Sequence, residues 1–138
     1  MKFFESYSEH AYSALRIMAG AMFSFHGAQK VLGFMAEQQP PIGSQLWIGG
    51  VIELVGGLMI MTGLQAVWAA FVASGQMAVA YFQFHWKFQF GPEFFPAINH
   101  GELAVLYCFV FLYIAAKGSG KFSLDGLFCR KKTEEAQA

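Results

Sequence analysis

The stretch QLWIGGVIELVGGLMIMTG (residues 45–63) decides the fold, because it is long, apolar and interrupted by a single ionisable side chain, that of Glu53. A helix crosses the hydrocarbon core of a bilayer with roughly 20 predominantly apolar residues. A charged side chain at that depth costs at least about 2.5–3.5 kcal/mol and persists where it pairs within a bundle or lines a polar cavity. The stretch therefore predicts a membrane-crossing helix whose carboxyl group lies in a polar site.

Three further apolar stretches predict membrane spans at 12–31, 66–84 and 101–117. The 138-residue chain is 56% hydrophobic and 13% charged, whereas soluble domains average about 25% charged residues. Backbone polar groups in lipid must be satisfied within their own segment, so we expect all four spans to be helices. We predict an all-α membrane protein with a four-transmembrane-helix bundle over 1–117 and a loop-like cytoplasmic tail over 118–138. Its surroundings are lipid, and its zero net charge does not indicate a nucleic-acid partner.

Basic residues concentrate on one side of the predicted bundle. The N-terminus, the turn near 62–65 and the tail carry Lys2, Lys117, Lys121 and residues 130–132, against Lys30 and Lys87 on the opposite side. Cytoplasmic loops of membrane proteins carry the excess of Lys and Arg. This bias predicts that both termini are cytoplasmic and that the connections at 32–44 and 85–100 face outward.

Polar residues that are costly in lipid recur near the outer ends of the four spans. The candidates for a pocket or a proton relay are Arg16, His26, Lys30, Glu53, His85, Asn99, His100 and Glu102. All but Arg16 belong to the outer half of the predicted bundle. Arg16 lies about 21 Å below Lys30 at 1.5 Å per residue, and we expect its long side chain to reach toward Glu53.

Each candidate also has a purely structural interpretation, and the sequence leaves the choice open. An Arg16–Glu53 pair could serve only to fix the packing register, and Glu102 could be a favourable negative charge at a helix N-terminus. Small residues at four-residue spacing, such as Gly20 and Ser24, indicate close helix packing within one bundle or a homo-oligomer interface. No catalytic residue can be named.

The sequence shows no pattern typical of a metal site or of a redox-active pair of cysteines. His100 and Glu102 are two positions apart and do not share a helical face, and no acidic cluster accompanies them, so we expect no metal site. Cys108 and Cys129 do not form a Cys-x-x-Cys motif. No covalently bound cofactor is expected.

An ordered set of short motifs spans nearly the whole chain. These are Arg16 with Gly20, the stretch Phe25–Lys30, the stretch Glu53–Leu58 followed by Gly63, the stretch Phe94–Glu102, the stretch Gly118–Gly120 and the stretch Ser123–Asp125. Together they resemble the DoxX family of small bacterial membrane proteins. The resemblance implies a multi-pass four-helix protein of the bacterial inner membrane.

The resemblance also implies an association with redox chemistry, through quinol oxidase or thiosulfate:quinone oxidoreductase complexes or oxidative-stress assemblies. We hypothesise a subunit of such a complex, or a partner to it, that has no bound redox cofactor of its own. The two carbonyls of a quinone need hydrogen-bond partners within an apolar, aromatic-rich pocket. His26, Lys30, Glu53 and Glu102 could provide these partners and shuttle protons. Two alternatives remain, a non-catalytic membrane scaffold and a carrier of small solutes or protons.

Overall fold

The computed structural model describes the backbone of residues 5–135 and the side chains of residues 5–129. Within that range every regular element is helical, as predicted. The α-helices are α1 (Ser8–Leu32), α2 (Gln45–Thr62), α3 (Ala66–Ala80), α4 (Pro96–Asn99), α5 (Glu102–Lys117) and α6 (Leu124–Glu135). A π-helix (Tyr81–Trp86) extends α3, and a 3₁₀ turn (Pro92–Phe94) precedes α4.

The ends of the long helices follow local chemistry. The Ser44 side chain accepts a hydrogen bond from the Trp47 N–H (3.2 Å) and so caps the start of α2. Gly33 and Gly63 end α1 and α2 with left-handed backbone (φ 69° and 71°), which a residue without Cβ adopts at little cost. The predicted spans at 12–31, 45–63, 66–84 and 101–117 therefore coincide with helices.

Length and hydropathy distinguish α2 from the other helices. Among the described residues, α2 is the one helix long and apolar enough to cross a membrane. The α-helical parts α3 and α5 have 15 and 16 residues, and α1 mixes polar residues among its apolar ones. Membrane crossing by α1, α3 and α5 therefore stays a prediction.

The C-terminal tail differs from its predicted loop-like form. Residues Gly118–Ser123 form an irregular segment, but α6 then runs from Leu124 to Glu135. The backbone N–H of Asp125 donates to Gly63 O (3.1 Å), and its carboxylate accepts from the Gln65 N–H (2.9 Å). This docking onto the α2–α3 turn supports the first turn of α6, and a local sequence pattern does not reveal it.

Helices α1 and α2 pack antiparallel through glycines. A Cβ at Gly57 would lie 2.5 Å from Ser24 N, and one at Gly27 would lie 2.2 Å from Leu54 N. Neither distance is possible for a real side chain, so both backbones approach at the limit that glycine allows. The small residues Gly20, Ser24 and Gly57 thus serve packing within the chain.

A second pair, α3 and α5, packs through small residues on α3 and larger ones on α5. Ala70 and Ala73 are fully buried, as are Phe111 and Ile114 opposite them. The Phe23 ring of α1 completes the core, at a centroid distance of 4.7 Å from the Phe111 ring. The two pairs enclose the space that holds the candidate site.

One end of the bundle gathers the start of α1, the α2–α3 turn and the segment after α5. Ser13 Oγ donates to Lys121 O (2.9 Å), and the Tyr12 hydroxyl donates to Gly118 O. These are the parts of the chain that were predicted to share one side of the membrane. Lys2 and the side chains of residues 130–132, which contribute to the charge bias, lie outside the part that the structure describes.

Candidate functional site

An ion pair between α1 and α2 forms the centre of the site. Lys30 Nζ lies 2.6 Å from Glu53 Oε1. The Glu53 residue is 3% exposed, whereas about a third of the Lys30 side chain is accessible. The antiparallel register brings them together, because Lys30 near the end of α1 faces the middle of α2. The Glu53 carboxylate is thus buried between the helices, and the partly accessible ammonium lies near the C-terminal end of α1.

Gln76 on α3 extends this pair across a third helix. Its Nε2 donates to Glu53 Oε1 (3.1 Å) and to the Gly49 carbonyl (3.0 Å). Because a carboxylate and a carbonyl both only accept, these two partners fix which end of the amide faces α2. Lys30, Glu53 and Gln76 therefore form one polar group that joins α1, α2 and α3.

A cavity of about 720 Å³ lies against this polar group. This volume falls within the range of about 300–1,000 Å³ that is typical of ligand pockets. The cavity is bordered by residues of α1, α2, α3, the π-helix and α5. Its polar lining residues are His26, Lys30, Gln45, Glu53, Gln76, His85, His100 and Tyr107.

The rest of the cavity lining is apolar, and much of it is accessible from outside the protein. The residues Ile48 of α2, Val72 of α3 and Leu103 of α5 line the cavity and are each about half exposed. Phe84 of the π-helix lines it as well. The cavity therefore combines an apolar rim with a charged and amide-bearing floor.

Three oxygen atoms on lining residues are buried without a hydrogen-bond partner within the described part of the chain. They are Glu53 Oε2, Gln76 Oε1 and the Tyr107 hydroxyl. An unpaired buried polar atom costs about 1–3 kcal/mol, and native proteins hold few of them. At the cavity, these three atoms leave hydrogen-bonding capacity unused.

The loop after the π-helix positions two histidines at the cavity. His85 Nδ1 donates to the Asn99 carbonyl (3.2 Å), because a carbonyl only accepts. The Asn99 side chain in turn accepts from the Gly101 N–H (2.8 Å) and donates to Glu93 O (2.8 Å). Asn99 therefore organises the loop and does not line the cavity itself, whereas His85 and His100 do.

Glu102 stands apart from the cavity. It is exposed in the first turn of α5 and borders a separate shallow groove with Pro96 and Phe109. A negative charge there interacts favourably with the helix N-terminus.

Arg16 belongs to the opposite end of the bundle, and the predicted Arg16–Glu53 pair is wrong. Its Nη1 donates to Ile60 O (2.6 Å) and Met61 O (2.8 Å), and its Nη2 donates to Phe122 O (2.8 Å) and Lys121 O (3.3 Å). In the antiparallel register an early residue of α1 faces the end of α2, at Ile60 and Met61, which lie about 11–12 Å along the helix from Glu53. The guanidinium therefore ties terminal carbonyls of α2 to the segment after α5.

The structure thus brings five of the eight candidates to one cavity, and, besides Gln45 at the start of α2, it adds two polar residues that the sequence analysis did not single out. The five are His26, Lys30, Glu53, His85 and His100. The additions are Gln76, an amide within an apolar span, and Tyr107, which lies on the buried stripe of α5 with Ala104 and Phe111. Both signals are present in the sequence, as a polar residue in an apolar helix and as a tyrosine on an inward stripe.

No group of three or more His, Cys, Asp or Glu side chains in the described range could hold a metal ion. The cavity's polar lining suits an organic ligand that forms a few directed hydrogen bonds within apolar walls.

Comparison with known proteins places this architecture in a family. The model of the DoxX family matches residues 11–86, which cover most of α1 and all of α2, α3 and the π-helix. An uncharacterized protein of Haemophilus influenzae is 40% identical over 131 residues, covering 92% of this chain and 97% of that protein. No solved structure matches the chain. The matched segment holds Lys30, Glu53 and Gln76, and the chain belongs to the DoxX family of membrane proteins.

Proposed function

We propose that this protein binds the polar head of a lipid-soluble ligand, of the quinone type, within the bacterial inner membrane. It does so as a subunit of a redox complex or as a partner to one. The bundle crosses the membrane four times, with α1, α2, α5 and the continuous helical run from α3 through the π-helix, and both termini are cytoplasmic. The electron-carrying cofactor belongs to the partner protein.

The observation that carries this proposal is the contrast between the rim and the floor of the cavity. Exposed apolar side chains such as Ile48 and Val72 admit a ligand from the hydrocarbon side. The Lys30–Glu53–Gln76 group offers a directed donor and acceptors to a polar head. A small polar head on an apolar body is the shape that such a site accommodates.

The outer surface of the bundle supports its placement in lipid. Met18, Trp68, Phe71 and Phe109 are each more than half exposed on three different helices. Extensive exposed apolar surface on a folded chain is typical of contact with a membrane or a partner. Charged residues are sparse at these levels of the helices, as crossing the bilayer requires.

A scaffold function is the second candidate, and α6 favours it. Leu127 and Phe128 are exposed by 64% and 57% on neighbouring positions of α6, and a run of basic residues follows them. Such a surface could hold a partner protein without any ligand in the cavity. Loss of a co-purifying partner on deletion of α6, with the partner retained in Glu53→Gln, would favour this candidate.

The test is native mass spectrometry of gently purified protein, comparing wild type with Glu53→Gln and Glu102→Gln. The two variants make the same chemical change, but Glu53 lies at the cavity floor and Glu102 lies outside the cavity. We expect a quinone to co-purify with wild type and Glu102→Gln and to be depleted in Glu53→Gln. A redox partner that co-purifies with wild type would support the assembly.

Two results would overturn the proposal. One is that neither wild type nor Glu102→Gln retains a quinone, even when the protein is supplied with a short-chain ubiquinone analogue. The other is that Glu53→Gln retains it as well as the control does. Thermal unfolding of each variant separates a lost ligand from a lost fold.

A further inference from the structure

The three unpaired oxygens of the cavity residues differ in what they can accept or donate. Glu53 Oε2 is a carboxylate oxygen, and Gln76 Oε1 is an amide oxygen, so both accept hydrogen bonds and cannot donate them. The Tyr107 hydroxyl can do either. The unpaired buried oxygens of these residues are therefore mostly acceptors, and a ligand that satisfies them must donate hydrogen bonds to them.

The orientation of the Gln76 amide fixes this bias. Its Nε2 is engaged with Glu53 Oε1 and Gly49 O, both of which need a donor. Turning the amide over would place its oxygen against these two acceptors and lose both hydrogen bonds. Oε1 is thus committed to facing away from α2 as an acceptor without a partner.

The second carboxylate oxygen of Glu53, Oε2, is likewise an acceptor without a partner. Lys30 Nζ and Gln76 Nε2 both bind Oε1, and Oε2 is left with no donor. The terminal torsions of carboxylate and amide side chains are broad. Small rotations of these side chains are therefore enough to bring Glu53 Oε2 and Gln76 Oε1 to a ligand in the cavity.

We propose that Glu53, Gln76 and Tyr107 select a ligand that presents hydroxyl groups over one that presents carbonyls in the same positions. For the quinone-type ligand of the proposed function, on which this inference rests, the selected form is the dihydroxy form. Its two hydroxyls donate to Glu53 Oε2 and Gln76 Oε1, and the Tyr107 hydroxyl pairs with a ligand oxygen. The dicarbonyl form would set its own acceptors against these two oxygens.

The experiment measures binding of a short-chain ubiquinone analogue and of its hydroquinone to the full-length protein in detergent under anaerobic conditions. Isothermal titration gives both dissociation constants. Two additional hydrogen bonds of ordinary strength correspond to a preference of about tenfold for the hydroquinone. We expect wild type to show this preference.

Tyr107→Phe is the sharpest variant, because it removes one oxygen that has no partner within the described part of the protein. A tyrosine that served only packing would lose nothing on this change, since the ring contacts with Phe23 and Phe111 remain. We expect the variant to unfold at the same temperature as wild type or higher and to bind the hydroquinone about 3- to 10-fold more weakly. Tyr113→Phe, at an exposed position of α5, is the matched control and keeps wild-type affinity.

Gln76→Met tests the selection itself. It retains the length of the side chain but removes the acceptor, so we expect the ratio of the two dissociation constants to fall toward one.

The outcomes separate this inference from the proposed function. Equal or tighter binding of the dicarbonyl form by wild type, or unchanged hydroquinone affinity in Tyr107→Phe, overturns the selection and leaves a quinone site standing. Absence of binding of either form overturns both.

Discussion

Arg16 shows how one side chain can fix the end of a bundle opposite its cavity. Its guanidinium is fully buried and donates to four backbone carbonyls on two segments. The planar fork of arginine can reach several acceptors at once, whereas the ammonium of lysine is a single compact charge. At this position, the planar geometry of the guanidinium therefore matters more than its positive charge.

We expect Arg16→Lys to lower the free energy of unfolding by about 2–4 kcal/mol, because carbonyls of α2 or of residues 121–122 lose their donor while staying buried. Chemical unfolding in detergent measures this. Lys117→Met at the same end is the control. Lys117 forms an exposed pair with Glu9 at 2.8 Å, and such pairs contribute about 0–1 kcal/mol. Equal losses in both variants would contradict the role assigned to Arg16.

The sequence indicated that Arg16 and Glu53 each need a polar environment, and both side chains do have polar partners in the structure. It could not assign partners, because a helical stripe gives the direction of a side chain and not the register of the facing helix. Once α1 and α2 are antiparallel, Lys30 meets Glu53 and Arg16 meets the terminal carbonyls of α2. Every residue has a backbone carbonyl, so no residue pattern indicates which carbonyls will accept hydrogen bonds from Arg16.

At the scale of elements, the contact between α1 and α2 depends on glycine at specific positions. A Cβ at Gly57 would meet Ser24 N at 2.5 Å and Gly20 O at 2.8 Å, whereas one at Gly56 would meet nothing within 4 Å. The two neighbours on α2 therefore offer a matched pair with opposite expectations.

We expect Gly57→Ala to destabilise the protein by about 1–3 kcal/mol, because backbone of α1 must move away. Gly56→Ala should be neutral or stabilise by up to about 1 kcal/mol, since alanine favours the helix. Thermal unfolding of both variants decides this. If Gly56→Ala proved the more damaging of the two, the helix contact described here would be wrong.

Helix α6 is joined to the bundle by Asp125, whose ionisation couples the C-terminal segment to pH. Burial alone would raise the pKa of this carboxyl. Hydrogen bonds from Ser119 and from the backbone N–H groups of Gln65 and Ala66 outweigh burial and hold the pKa below its ordinary value of 3.8. A depressed pKa in the folded state means that the ionised carboxylate stabilises the fold above the unfolded pKa. This contribution is lost as the pH falls through the folded pKa.

We expect Asp125→Asn to be less stable than wild type at pH 7 by about 0.5–2 kcal/mol. We expect this difference to shrink as the pH falls below about 4. Denaturant unfolding at about pH 7, 5 and 3 follows the difference across this window. A gap between the two proteins that stays constant down to the lowest pH would show that the carboxylate charge does not support α6.

At the scale of the whole molecule, the sequence predicted the long helices well, because apolar length and signals such as Ser44 and Gly63 are local. The grouping of Lys30, Glu53 and His85 also followed from chain order and alternating direction. The amide of Gln76 joins this group only through the packing of α2 against α3, and α6 exists as a docked helix only through its contacts with the α2–α3 turn. Both depend on tertiary contacts, which single-segment patterns do not contain.

The orientation of the bundle in the membrane is the remaining prediction at this scale, and an exposed native cysteine allows its test. Cys129 lies on α6 and is exposed, so it reports the side of the C-terminal segment. In a Cys108→Ala background, we expect a membrane-impermeant maleimide to leave Cys129 unlabelled in intact cells and to label it in inverted membrane vesicles. The reason is that the basic residues near α6 favour the cytoplasm.

The substitution Gln38→Cys, at an exposed position in the connection between α1 and α2, gives the matched control with the opposite expectation. In a chain that lacks both native cysteines, this introduced thiol should be labelled in intact cells. If Cys129 reacted in intact cells and the introduced thiol did not, the bundle would have the reverse orientation. The cavity, which lies at the Lys30 end of α1, would then open toward the cytoplasmic half of the membrane, and a redox partner would have to be sought there.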